Sequence, residues 1–130
     1  HIGVFSFSFL VLHLPYAWGL PWNFGAELET LSMFFLFVVV WDFLWFVLNP
    51  HFSLTQFRPG CVAWHKIWVA GLPVDYWGGL VLSFLFHVLR VDAGEGVRFG
   101  MWFWIVGGFA ILVGITILFA ELLNRYRRKM

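Results

Sequence analysis

The chain is poor in charge. Only 12% of its 130 residues are Asp, Glu, Lys or Arg, against about 25% in ordinary soluble domains, so this composition does not build a conventional water-facing surface. Cysteine is almost absent. The single Cys61 excludes an internal disulfide and a thiolate metal cluster, and it is read as a small packing residue. No HExxH, CxxC, glycine-rich phosphate loop, serine elbow or histidine-box series occurs, so the usual signatures of metalloprotease, nucleotide and hydrolase chemistry are missing. "LHLPYAW" and "AGLPVDYW" share a Leu-Pro and a Tyr, too little for an inverted duplication. The stretch present has no basic n-region followed by a small-residue cleavage site of the secretory kind. It begins at His1 rather than a methionine, which leaves room for residues before it.

Apolar residues fill the space that charge leaves. Hydrophobic residues make up 62% and aromatics 22% of the chain, with a mean hydropathy of +0.85. The few charges lie between long apolar runs or in the last positions, which is how a polytopic helical membrane protein distributes them. The formal charge of +1 therefore says nothing about nucleic acid.

Four spans are predicted, over residues 2–18, 27–48, 74–90 and 99–120, within one transmembrane domain covering 1–130. Pro15 and the Gly19-Leu20-Pro21 breakers end the first. The second gives about 33 Å at 1.5 Å per residue, enough for a hydrocarbon core of roughly 30 Å; the third gives only about 25 Å. Asn49-Pro50 stops the second span, because proline disfavours helical geometry in the residue before it and lacks a backbone donor. Arg58, Lys66, Arg125, Arg127, Arg128 and Lys129 fall on one side of such a bundle, with Arg90 and Arg98 on the other. The positive-inside tendency then places both termini, the 49–72 connection and the basic tail 124–130 in the cytoplasm. Trp18, Trp22, Trp64, Trp68, Trp102 and Trp104 fall near span ends, where indoles settle at headgroup level. "CVAWHKIWVAG" in the long connection, with Trp64 and Trp68 four apart, is read as a short interfacial helix in preference to a re-entrant dip. The expected fold is thus an all-α, polytopic four-helix membrane bundle with a short surface helix between spans two and three.

Within "VVVWDFLWFVLNPHF", Asp42 lies about 9 Å inside the end of its span, too deep for its short side chain to reach water. An ionisable group there costs a few kcal/mol and normally turns inward to a partner. Counting back by helical turns puts Asp42 and Glu27 on one stripe, with Trp45 and Asn49 continuing it. Two depth groups result. His13, Glu27, Glu29 and His87 lie toward the outer side, and Asp42, Asn49, His51, His65 and Asp75 toward the inner side. Imidazole with carboxylate suits zinc, iron or manganese, and two axial imidazoles on facing helices suit haem. Glu27, Asp42, His51 and His65 are therefore the candidate metal ligands, His13 and His87 the candidate cofactor ligands, and Asp42 the candidate catalytic acid or base.

Each of these residues has a plainer account. His13 or His87 taken singly is more simply hydrogen-bonded to a neighbouring helix. Glu29 and Asp75 sit in opening helical turns, where acids complement the dipole without ligating anything. His51 and His65 lie at the water boundary, where histidine is ordinary; the rival reading is that Asp42, His51, His65 and Asp75 converge on a metal at the cytoplasmic face. Glu121 is expected to pair with Arg125 one turn on. Phenylalanine-rich faces fill lipid contacts and can also surround flat cofactors, the former being favoured. Gly107, Gly108 and Gly114 in the last span admit a second helix, and the basic tail attracts anionic lipid.

Two functions follow as expectations. One is a membrane-embedded metal or haem protein acting on a lipid-soluble substrate. The other is a non-catalytic subunit of a larger membrane complex, in which Asp42 makes a buried hydrogen bond to Trp45, Ser83 or a partner helix. A small carrier or ion-conducting oligomer is the weaker third.

Overall fold

The computed structural model describes residues 2–90 and 99–127; the expectations placed on Arg98, Arg128 and Lys129 lie outside them. Four helices carry the chain: α1 (Ile2–Ala17), α2 (Phe24–Leu48), α3 (Val74–Leu89) and α4 (Phe99–Arg127). The predicted spans match them, with α2 beginning three residues earlier and α4 running seven further. Asn23 explains the early start of α2, because its Oδ1 accepts from the Ala26 N–H at 2.8 Å and satisfies one of the orphan donors of the first turn. Pro15 sits inside the last turn of α1 and does not stop it; the helix ends at Ala17, before Gly19 at φ +101°.

α2 is the central element. Contacts at residues 9, 13 and 16 of α1 meet 34, 27 and 30 of α2, so the two run antiparallel. Ser83 and Tyr76 of α3 meet Ser32 and Asp42, so α3 is antiparallel as well. The last turns of α4 lie beside the residues that follow α2, which makes α4 parallel to it. The start of α1 and the ends of α2 and α4 therefore share one end of the molecule, and Asp42 is near that end. Two helices, Phe24–Leu48 and Gly100–Tyr126, are long and apolar enough to cross a membrane; Gly3–Ala17 and Val74–Leu89 are shorter apolar helices.

Large apolar side chains mostly point outward. Leu10, Ile111, Ile115, Leu118 and Leu122 are all exposed. The tight packing is between α2 and α3. Gly79 lets α3 approach closely, since a Cβ there would collide with Val39 Cγ2. Phe35 stacks on Phe86, their centroids 5.6 Å apart.

The surface helix expected over "CVAWHKIWVAG" is not formed. That stretch makes turns and two short antiparallel strands, β1 (Trp68–Val69) and β2 (Leu72–Pro73), and the connection's helical piece is a single 3-10 turn, Leu54–Gln56. Ala70 and Gly71 both take positive φ, 49° and 83°, as a two-residue hairpin turn requires. Trp64 and Trp68 are thus not a lipid-facing i, i+4 pair. Trp64 stacks on Phe46, and the Trp68 indole donates to the His65 carbonyl at 2.8 Å. Phe46 is fully buried under Phe52, Phe57 and Trp64, so the connection folds over the end of α2 as an aromatic lid.

Candidate functional site: a histidine between two carboxylates

The aromatic lid decides the position of His65. Trp68 holds its backbone, and Phe46, Tyr76 and Trp68 surround its ring, which is only 5% exposed. The ring Nε2 lies 3.0 Å from Asp42 Oδ2, and Nδ1 lies 3.1 Å from Asp75 Oδ2. The Tyr76 hydroxyl donates to the same Asp42 oxygen at 2.7 Å. A buried imidazole is therefore clasped by a carboxylate on each side, and the deeper carboxylate also accepts from a phenol. Asp75 is 66% exposed, Asp42 24% and His65 5%, so the ring is the buried link between an exposed carboxylate and a half-buried one.

Donor counting constrains this chain. An ionised carboxylate only accepts, and a neutral imidazole has one N–H. Two ring-to-carboxyl hydrogen bonds therefore require either an imidazolium or one protonated carboxyl. In each arrangement Asp42, His65 and Asp75 together hold two protons, one in each ring-to-carboxyl hydrogen bond.

Beside the inner end lies a recess of about 490 Å³ between α1, α2 and α3. Asp42, His65, Asp75 and Tyr76 edge it, while Phe35, Val39 and Leu82 supply apolar wall. A few convergent polar groups in an apolar pocket of this size are the usual composition of a small-molecule site.

The outer acids find separate histidines. His13 Nδ1 donates to the Phe9 carbonyl at 2.7 Å, and its Nε2 faces both Glu27 oxygens at 3.1 and 3.2 Å; Trp22 adds an indole donor to Glu27 at 2.9 Å. His87 Nδ1 lies 3.1 Å from Glu29 Oε2, which also accepts from Arg90 at 2.9 Å. The expected cap-like role of Glu29 gives way to this cross-helix pairing: antiparallel packing brings the end of α3 against the start of α2. Midway, Ser32 donates to the Ser83 carbonyl at 2.8 Å and the Trp102 indole donates to Ser83 Oγ at 3.0 Å. Trp102 is thus held to α3 and does not act simply as an interfacial anchor.

Of the four candidate metal ligands, Asp42 and His65 meet, whereas Glu27 and His51 do not join them. Glu27 is fifteen residues up α2, about 22 Å away along the axis, and His51 lines a different recess. Asp75 takes His65 as a side-chain partner in addition to its place in the opening turn of α3, so three of the four residues of the convergent reading, Asp42, His65 and Asp75, come together without His51, and Asp42 reaches His65 and Tyr76 rather than Trp45 or Ser83. Among the described residues no three His, Cys, Asp or Glu side chains are grouped so as to hold one ion. The cofactor candidates His13 and His87 each face their own glutamate. Tyr76 was missed from the sequence, although its place directly after Asp75 in the first turn of α3 was a usable clue.

No protein-family model, characterised protein sequence or solved structure matches this chain.

Proposed function

We propose that the protein is an integral membrane protein of four crossings, both termini cytoplasmic, whose inner end holds a proton-transfer centre for a small lipid-soluble molecule. The observation that carries this is His65, buried between Asp42 and Asp75, with Asp42 and Tyr76 at the mouth of an apolar recess. Asp42 and Tyr76 are the groups that touch an occupant. Asp75 exchanges protons with water, and His65 conveys them by switching which nitrogen carries the hydrogen. A proton given up at the Asp42 end is then replaced from the Asp75 end, which is the arrangement that general acid–base chemistry in a dry site needs. The membrane setting is supported by two helices long enough to cross and by the apolar side chains exposed along α1 and α4.

The test is nitrogen-15 NMR of His65 in detergent with thermal denaturation against fatty alcohols, long-chain aldehydes and quinones. One chemical class should raise the melting temperature and perturb the His65 resonances, and Asp42→Asn or Tyr76→Phe should remove both responses. A His65 ring spectrum untouched by both Asp42→Asn and Asp75→Asn would defeat the proposal.

The open face of α4 supports a second role, assembly with another membrane chain. A Cβ at Gly107, Gly108 or Gly114 would meet nothing within 4 Å, so a partner helix could approach there. Cross-linking through a cysteine placed at Gly107 checks this.

A further inference from the structure

A second recess, of about 790 Å³, opens where the residues following α2 face the last turns of α4. Val47 and Ile117 give it some apolar wall, and the polar side chains of His51, Ser53, Gln56, Glu121, Asn124 and Arg125 supply the larger part of its lining. These lie at the helix ends nearest the Asn49-Pro50 break, the level of a headgroup layer if α2 and α4 cross the bilayer. The expected Glu121–Arg125 ion pair is not made. Among the described residues, no ion pair or hydrogen bond engages the side chains of His51, Glu121, Asn124 or Arg125. A cation and an anion one helical turn apart thus both face an amphipathic hollow with their bonding capacity unspent.

From this geometry we infer a binding site for a phospholipid headgroup carrying a primary amine, of the phosphatidylethanolamine type. The Arg125 guanidinium presents a planar fork to the phosphodiester, and His51 adds a donor from the facing connection. Glu121 accepts N–H bonds from the ammonium, and Asn124 can donate to the glycerol esters. The acyl chains leave along Val47 and Ile117 into the groove between α2 and α4. A purely anionic headgroup would set negative charge against Glu121, and a quaternary amine has no N–H to give it. The site rests on the membrane-crossing reading proposed above, and on no property of the proton-transfer centre.

Alkaline extraction of membranes holding the full chain comes first. If the protein is released, the membrane-crossing reading fails and this site falls with it. If it stays, the purified protein is titrated in mixed micelles with dioleoyl phosphatidylethanolamine, phosphatidylcholine, phosphatidylglycerol or inorganic phosphate, reading melting temperature and, by native mass spectrometry, bound lipid. Phosphatidylethanolamine should bind one per chain and at least about tenfold tighter than the other two lipids, the factor expected for one charge-assisted hydrogen bond. Glu121→Gln should level ethanolamine with choline, and Arg125→Gln should weaken every phospholipid. Both side chains are exposed, so the lipid-free variants should melt with the parent. Equal affinity for all three lipids, an equal stabilisation by inorganic phosphate, or variants that keep the parent's preference would each overturn the inference.

Discussion

α3 and α4 both lie against α2, and both are apolar enough that hydropathy alone does not distinguish their roles. Their contacts differ completely. α3 meets α2 through polar groups at three depths: His87 with Glu29, Ser83 with Ser32, and Tyr76 with Asp42. Gly79 closes the gap between the lower two against Val39. α4 contributes the Trp102 indole to Ser83, leaves its three mid-helix glycines open, and exposes Ile111, Ile115 and Leu118. On the membrane-crossing reading proposed above, burying more apolar surface gains little, so helices are held by close backbone approach and by polar groups that have nowhere else to bond. α3 has both devices against α2, whereas the polar tie of α4 runs from Trp102 to α3 and its glycines face away from α2 and α3.

The comparison can be broken most severely at His65. His65→Ala leaves the half-buried Asp42 with only the phenol as partner, and losing a hydrogen bond to a charged group costs about 1.5–3 kcal/mol, to which the emptied space under the aromatic lid adds. A fall in melting temperature in detergent should exceed that of His13→Ala, whose ring is 26% exposed. An equal fall for both would mean that the inner clasp is no more deeply built than the outer pairs. Gly79→Ala comes next: its methyl collides with Val39, and overpacking of this kind costs roughly 1–3 kcal/mol. Adding Val39→Ala should restore most of the loss, and a double variant no better than the single would show that the contact is not where α2 and α3 close.

Ser83→Ala removes both the acceptor of the Trp102 indole and the hydroxyl that meets Ser32 Oγ, and should cost about 2 kcal/mol, two hydrogen bonds at roughly 1 kcal/mol each. The tryptophan fluorescence of the variant should change as that indole loses its partner, and an unaltered spectrum would remove the one polar link between α3 and α4 among the described residues. The smallest effect belongs to Gly107→Ala. With nothing within 4 Å of the added methyl, the melting temperature of the isolated chain should stay within the ~0.5 kcal/mol typical of surface changes. A large loss there would reveal that a second helix sits on this face.

Much of the architecture was legible. Long apolar runs and the Asn49-Pro50 break located all four helices to within a few residues at most ends, and Asp42 was singled out as needing a partner. The misreadings cluster where local pattern and long-range contact disagree. Trp64 and Trp68 are spaced like one face of a helix, yet Trp64 is drawn onto Phe46 and the Ala70-Gly71 turn folds the chain into a hairpin. Glu29 and Asp75 sit where helix dipoles welcome acids, and that local account was favoured for both, although depth already grouped Glu29 with His87 and Asp75 with His65, the pairs that the packing makes. Tyr76 passed unnoticed because an aromatic residue near a helix start is unremarkable until its hydroxyl is seen on Asp42.

The sequence by itself determined the apolar character of the elements and roughly where each begins and ends, because hydropathy and proline act through the local chain. Only the tertiary structure decided which carboxylate faces which imidazole. Asp42 is 23 residues from His65 and 34 from Tyr76, and Glu29 is 58 from His87. Contacts at such separations follow from helix order, crossing direction and the path of the aromatic lid, none of which a local pattern encodes.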